Sequence, residues 1–470
     1  MNIFRRLTST EYMVKEHMRR GEIPSNKEAY SHSLRIAGPA VVEMVSIALM
    51  DMIDVIMIGR IGSASMTAVG LSGQPRMLIL SIFFALNIAL TAIIARKKGA
   101  GDMDAAKSAM RHGLLLNVAL GLKLTLIAVI FARPLMNLVG AQPDTIDDAT
   151  TYFRILSFFV IPQVMTMTIC AAQRALGNTK ITLKVNVAAK IVGLTLNFLL
   201  IEGRFGFPRM EVEGVAWARS IAMLVAFVLA MMSVLRKDSP LRISIKDNWS
   251  LDIPILRSIG RLTANGMLEQ VGLRFGFLVY ARVIAELGTY AFASHVIAMQ
   301  VMMISFTFAE GIGAATTALV GQYLGKGRPD LSSMYGKIGL RMAFVCSVVL
   351  ATFCIFFRYQ FAGLFSIDPN EYHVINVAAG LILILAYALP LQTTQLVMGG
   401  SLRGAGDNRY VAITMLITVG VMRPLFGFLL AFPLGMGLRG AWIAIIIDQG
   451  ARLALLLTRF IKGKWTLAKV

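Results

Sequence analysis

LRIAGPAVVEMVSIALMDMIDVIMI, residues 34–58, decides how the rest of the chain is read. The run is apolar and longer than the roughly 20 residues that a helix needs to cross a bilayer. It nevertheless carries Glu43, Asp51 and Asp54. A charge near the centre of a membrane helix costs at least about 2.5–3.5 kcal/mol, so each acid asks for a reason. Glu43 lies about nine residues into the run, roughly 14 Å deep at 1.5 Å per residue. Asp54 follows eleven residues later. Steps of about 100° bring it back to within about 20° of Glu43, so both carboxylates share one side, ~16 Å apart along the axis. Asp51 sits about 60° from Asp54, one turn away. The run is too long and too acidic for a cleavable signal, and polar residues 1–33 precede it.

Working outward, similar runs recur at 66–95, 112–131, 151–172, 181–201, 214–235, 260–285, 290–320, 336–357, 373–398, 410–432 and 438–459. Together they predict an all-α membrane protein of twelve transmembrane helices. The composition agrees. Of 470 residues 56% are hydrophobic and only 15% charged, against about a quarter charged in soluble chains. A soluble enzyme and a disordered chain are both excluded.

The net charge of +20 is explained by where it falls. With the amino terminus inside, the segments 1–33, 96–111, 173–184, 236–261, 322–341, 399–409 and 459–470 hold ~30 Lys/Arg against ~6 outside, which the positive-inside rule reads as both termini cytoplasmic. Outer loops carry Asp144, Asp147, Asp148, Glu211, Glu213, Asp368 and Glu371. No nucleic-acid partner is needed. The tail 1–33, with Arg5, Arg6, Lys15, Arg19 and Arg20, reads equally as an amphipathic helix on anionic lipid or as a disordered tail. Cys170, Cys346 and Cys354 lie in apolar runs with neither disulfide nor metal spacing.

The two halves of the chain repeat. At an offset of 226, Glu43 falls on Glu269, Ile58-Gly59-Arg60-Ile61-Gly62 on Ile284-Ala285-Glu286-Leu287-Gly288, and Gln74 on Gln300. Thr91-Ala92 falls on Thr317-Ala318, Gly99-x-Gly101 on Gly325-x-Gly327, and Gly214 on Gly440. At an offset of 229, Arg174-Ala175-Leu176-Gly177 falls on Arg403-Gly404-Ala405-Gly406. A six-helix unit used twice keeps both copies in one orientation, a parallel repeat as in some transporters. The expected organisation is a cytoplasmic tail 1–33, an N-lobe 34–235, a cytoplasmic linker 236–259, a C-lobe 260–460 and a tail 461–470. The two pseudo-symmetric lobes are expected to face a central cleft.

The repeat sharpens the acids. Glu43 and Glu269 are mates, and a symmetric pair suits gripping a ligand. Asp54 has Tyr280 as its mate, and an acid kept in one lobe suits a coupling ion. Each could instead be a satisfied structural acid. Arg219, Arg274 and Arg423 also lie at membrane depth. Arg219 either pairs near Asp54 or snorkels, and Asp448 and Arg452, four apart, are expected to pair. Gln74, Gln300, His295, Asn87, Asn117 and Asn197 offer neutral hydrogen-bonding groups. His295 could titrate, although a lone helical histidine is more often structural. The 28 methionines suit packing between helices first and adaptable ligand contact second.

No G-x-x-x-x-G-K-[ST] motif is present, so the chain carries no ATPase of its own. Gly435-x-Gly437-x-x-Gly440 lies between two spans without a βαβ unit and is read as chance. HExxH, CxxC and G-x-S-x-G are also missing, so no catalytic role, cofactor or metal site is assigned.

Several segments resemble the multidrug and toxic compound extrusion (MATE) family. They are Val55-Ile56-Met57-Ile58-Gly59-Arg60-Ile61-Gly62 after Asp54, Leu268-Glu269-Gln270, Ala281-Arg282-Val283-Ile284-Ala285-Glu286-Leu287-Gly288 and Ala293-Ser294-His295-Val296-Ile297-Ala298. Ala315-Thr316-Thr317-Ala318-Leu319-Val320-Gly321-Gln322 and Arg423-Pro424 complete the set. The resemblance implies a twelve-helix, two-lobe antiporter of the bacterial inner membrane. Such a protein expels organic, often cationic compounds in exchange for H⁺ or Na⁺. It places Asp54 at the cation-coupling position and Glu269 at the acid of span 7. Where Na⁺-binding members have oxygen ligands, this chain has Gly193, Asn197 and Arg219. A guanidinium in place of an oxygen makes a poor site for a hard cation, which favours H⁺. The proline expected four residues before Glu269 is Asn265.

The expected cation-coupling residues are therefore Asp54, Asn197 and Arg219. The expected substrate-binding residues are Glu43, Glu269, Gln74, Gln300, His295 and Arg274. The expected partners are small organic molecules, H⁺ rather than Na⁺, and membrane lipid, with the protein monomeric. The alternative is a flippase for a lipid-linked precursor, using Arg219, Arg274 and Arg423 on phosphate. A membrane-embedded enzyme lacks a catalytic constellation.

Overall fold

The computed structural model describes residues 9–14, 16, 19–59, 63–143, 145–201, 203–244, 247, 249–364 and 372–468. Arg5, Arg6, Lys15, Arg60, Ile61, Gly62, Asp144, Asp368 and Glu371, used in the charge and repeat readings, lie outside the described residues.

The described chain is helical. Its helices are α1 (Asn26–Gly59), α2 (Ser63–Gly99), α3 (Met103–Ile130), α4 (Ala132–Leu138), α5 (Ile146–Phe158), α6 (Val160–Ala175), α7 (Thr179–Leu200) and α8 (Glu211–Leu235). There follow α9 (Ile253–Ala285), α10 (Thr289–Gly325), α11 (Pro329–Leu364), α12 (Tyr372–Gly404), α13 (Asn408–Met415), a π-helical segment Leu416–Met422, α14 (Arg423–Ala431) and α15 (Gly437–Ile461). Among the described residues, ten spans are long and apolar enough to cross a membrane by themselves, counting α13, the π segment and α14 as one. An eleventh is α5 with α6, bent by 51° between Phe158 and Val160. Pro162 contributes to that break, because it has no N–H to give to the carbonyl of Phe158. The twelfth span, α9, is less apolar because it carries Arg257, Arg261, Glu269, Arg274 and Arg282.

The repeat is visible in how the helices end. Gly101 and Gly327 have φ of 79° and 70°, and Gly177 and Gly406 have 78° and 89°. Each stops a helix in the left-handed region that a glycine reaches without steric cost. Asp102 then caps α3, accepting from the Ala105 N–H at 3.0 Å.

The chain divides into two compact units, one of residues 1–41 with 264–470 and the other of residues 42–263. In the second unit, the later part of α1 meets α5 and α8 through the cluster around Ile58, and α6 and α7 through Glu43 and Asp54. The linker docks on this unit. The Asp252 N–H donates to Nε2 of His112 at 2.8 Å, and Arg111 lies 3.4 Å from Asp247.

In the first unit α12 is the central helix, packed by α10, α11 and α15. Where α9 meets the π segment there is no room for a side chain, since a Cβ on Gly276 would lie 2.1 Å from the Val419 carbonyl oxygen. The π segment ends at Arg423-Pro424. Pro424 has no N–H for the carbonyl one turn back, and such windings relieve the resulting mismatch.

The described part of the amino-terminal tail packs on protein in this same unit. Met13 and Val14 are buried with Leu331, Met334 and Tyr335. The Arg20 N–H donates to Asp330 Oδ2 at 3.0 Å, Arg328 to the Glu22 carbonyl at 2.9 Å, and Lys337 to the Met13 carbonyl at 2.5 Å. Neither a disordered tail nor a helix lying on lipid describes these residues.

Candidate functional site

Asp54 is buried on α1, 3% exposed, with partners from two other helices. Asn197 of α7 donates from Nδ2 to Asp54 Oδ1 at 2.8 Å. Lys190 Nζ, also on α7, lies 3.5 Å from Asp54 Oδ2 and is hydrogen-bonded to Asp51. Positions 190 and 197 are two turns apart and so share a face of the helix. Arg219 of α8 places Nη2 3.9 Å from Asp54 Oδ2, while its Nη1 donates to the hydroxyl of Tyr152 at 2.7 Å. The structure thus brings the expected coupling residues Asp54, Asn197 and Arg219 together. Two acids, Asp51 and Asp54, balance two bases, Lys190 and Arg219. Asn197 Oδ1 is buried without a hydrogen-bond partner.

Arg76 of α2 adds a further positive charge. It donates to Gln163 Oε1 at 2.9 Å and is close enough to Arg219 to repel it.

Glu43 is fully buried and fully engaged. Arg174 Nη1 lies 3.0 Å from its Oε1, Asn186 donates to the same oxygen at 2.6 Å, and Thr182 donates to Oε2 at 2.5 Å. Its repeat mate Glu269 is held on one side only. Arg403 Nη1 lies 2.8 Å from Glu269 Oε1, and Oε2 is buried with no partner. The difference is written in the sequence. At the 229-residue offset, Thr182 and Asn186 become Val411 and Met415, which cannot donate.

Asp448 is shared by Arg423 and Arg452, and Arg452 Nε also donates to Thr418 at 3.0 Å. The expected Asp448–Arg452 pair is therefore present, with Arg423 as an additional partner. His295 is buried between rings, edge-on to Trp442 at 5.6 Å and to Tyr280 at 5.8 Å, with Nδ1 unpartnered. Gln74, Gln300 and Arg274 are exposed. Among the described residues no group of three or more His, Cys, Asp or Glu is gathered to hold a metal ion.

Sequence reasoning missed Lys190, Arg76, Tyr152 and the roles of Arg174 and Arg403. Lys190 was detectable, because it lies inside the apolar run 181–201 and an intramembrane charge marks a functional position by default. Arg174 and Arg403 stand out as a repeated pair, but nothing in their spacing ties them to the acids.

Twelve spans in two repeated halves, with ion pairs inside the spans, are the build of a membrane transporter rather than an enzyme. The MatE family signature matches residues 39–199 and 267–429, one stretch in each half, and the chain belongs to the multidrug and toxic compound extrusion family. It is 27% identical over 434 residues to the "Uncharacterized transporter YisQ" of Bacillus subtilis, covering 91% of this chain and 93% of the relative. It is also 27% identical to the "Probable multidrug resistance protein NorM" of Thermotoga maritima, covering 96% of each. A crystal structure of a MATE protein in complex with MaL6 superposes with a TM-score of 0.86 at 23% identity, over 93% of this chain and 96% of that one. An outward-facing MATE transporter superposes at 0.85 and 22% identity. At those identities the two structures show the fold.

Proposed function

We propose that this protein is a secondary active multidrug exporter of the bacterial inner membrane, with both termini cytoplasmic, that exchanges cationic amphipathic compounds for H⁺ by alternating access. Asp54 carries the reading. It is a buried membrane carboxylate held by Asn197, Lys190 and Arg219, and a proton there removes a negative charge that offsets these bases.

The sign of that change matters. A proton on Asp54 repels a cationic substrate and attracts an anionic one. Mutually exclusive binding of proton and substrate gives exchange, and shared binding gives co-transport. Export driven by inward H⁺ therefore suits a cationic or neutral cargo. Na⁺ is disfavoured because two tethered cations, Lys190 and Arg219, already flank the carboxylate. Glu269, with one buried oxygen unpartnered, supplies the negative charge for the cargo. Glu43 has no such oxygen left and serves its lobe's structure.

The flippase reading loses one of its phosphate ligands, since Arg423 is committed to Asp448.

Everted vesicles holding an inward-acid gradient test the proposal. Ethidium added without Na⁺ should release protons, and Asp54→Asn should abolish that release. Release that survives in Asp54→Asn removes Asp54 from coupling. Dissipation of a Na⁺ gradient in place of the proton response rejects H⁺.

A further inference from the structure

Resting on the reading of Asp54 as the coupling carboxylate, the geometry points to Lys190 as a positioning residue that divides its ammonium between Asp51 and Asp54 and passes wholly to Asp51 when Asp54 takes up a proton. Among the described residues Lys190 alone is paired with both Asp51 and Asp54. It is hydrogen-bonded to Asp51 and only 3.5 Å from Asp54 Oδ2. The acids differ in surroundings, with the Asp51 side chain 50% exposed and that of Asp54 5%.

The other base is less able to move. Arg219 is fastened to the Tyr152 hydroxyl at 2.7 Å and reaches Asp54 only at 3.9 Å. Lys190 ends in a compact ammonium on a flexible four-carbon stem. The charged and titratable groups facing Asp54 are therefore Asp51 on α1, Lys190 on α7 and Arg219 on α8. Tyr152 on α5 and Arg76 on α2 stand behind Arg219.

The step balances simply. A proton from water adds to a carboxylate oxygen of Asp54, the attraction between Asp54 and Lys190 is lost, and no other covalent bond changes. Asp51 retains the ammonium, so no bare cation is left at membrane depth, where it is costly. The link between α1 and α7 then runs through Asp51 one turn earlier on α1, and protonation is converted into a change in how these two helices hold each other.

This assignment fixes the direction of two opposite effects. Lys190→Met leaves two neighbouring carboxylates without their shared ammonium, so Asp54 gains a proton more readily. Asp51→Asn gives all of Lys190 to Asp54 and removes a neighbouring negative charge, so Asp54 gains a proton less readily. Ethidium binding to the purified protein, followed by anisotropy across pH, reads the competition between proton and cation. The midpoint should move towards alkaline pH in Lys190→Met and towards acid in Asp51→Asn, each by about one to two pH units. Lys190→Arg keeps the positive charge and should move the midpoint less than Lys190→Met does.

Midpoints that do not move, or that move the same way in both variants, overturn the role of Lys190. A second readout needs no substrate. Relative to wild type, the thermal midpoint of Lys190→Met should recover as pH falls, because protonation relieves the unpaired carboxylates. A constant deficit across pH would mean that Lys190 is only a structural partner. If Asp54→Asn leaves efflux intact, the coupling reading fails. If Asp54→Asn abolishes efflux while the two shifts are missing, only the inference about Lys190 fails.

Discussion

Arg403 is to Glu269 what Arg174 is to Glu43. The guanidinium nitrogens stand 2.8 Å and 3.0 Å from the carboxylates, at matching places of a repeat that otherwise diverged. What diverged is the rest of each shell. Glu43 also receives Thr182 and Asn186, whereas Glu269 keeps one oxygen unpartnered. The same ion pair is closed around Glu43 and half-open at Glu269.

The two acids should therefore respond differently to the same change. Glu43→Gln disturbs a fully buried side chain that accepts from Thr182 and Asn186 as well as from Arg174, whereas Glu269→Gln disturbs one engaged oxygen. The thermal midpoint of Glu43→Gln in detergent should fall clearly below that of Glu269→Gln. Glu269→Gln should instead weaken ethidium binding more than binding of a neutral dye. Equal loss for both dyes would make Glu269 a structural acid too.

Asp448 holds two buried arginines. Asp448→Asn leaves both guanidiniums without a counter-charge in the unit's interior, and a loss of about 3–5 kcal/mol is expected. A triple variant with methionine at 423, 448 and 452 should recover much of that loss, since well-packed apolar residues often match a buried ion network. Failure of the triple variant to regain monodispersity in size-exclusion chromatography would show that the network does more than compensate charge.

Gly276 sits against the backbone of the π segment. Gly276→Ala introduces a methyl group where a Cβ would lie 2.1 Å from Val419 O, an overpacking that costs typically about 1–3 kcal/mol. The thermal midpoint should drop, whereas Gly38→Ala, with no neighbouring atom within 4 Å, should be close to neutral. Equal midpoints for the two variants would contradict the tight contact between α9 and the π segment.

Asp330 ties down the tail by accepting from the Arg20 N–H and from Arg328. The same carboxylate pushes the basicity of the Arg328 guanidinium above its ordinary range, chiefly through their side-chain hydrogen bond. In Asp330→Ala, limited trypsin digestion should cut at Arg19 and Arg20 much sooner than in wild type, while ethidium binding stays unchanged. Unaltered cleavage kinetics would mean that the apolar contacts of Met13 and Val14 hold the tail without help.

Much of the fold was legible because lipid allows few solutions. Apolar length sets the spans. The paired glycines at 101 and 327, and at 177 and 406, mark the same turns in each half. The bend between α5 and α6 and the π segment before Pro424 were not read, although Pro162 and Pro424 mark both places, since a hydropathy pattern does not encode how the backbone answers a missing N–H. In the candidate site, Asp54, Asn197 and Arg219 could be named from the chain, and they meet. Their partners Lys190 and Tyr152 could not be placed, because long side chains reach across helices whose rotation about their own axes is fixed only by packing. The tail was misjudged for a related reason. Its binding surface is built from residues more than 300 positions away in sequence.

That last separation bears on how the protein is made. Arg20 finds its partner 310 residues later, and at about 5–20 residues per second the ribosome needs roughly 15–60 s to produce it. Throughout that interval the tail is an unoccupied stretch of nascent chain, open to chaperones and proteases, while span after span enters the bilayer. A segment made 310 residues before its partner is thus among the last to settle, and it can do so only after the start of α11 has emerged.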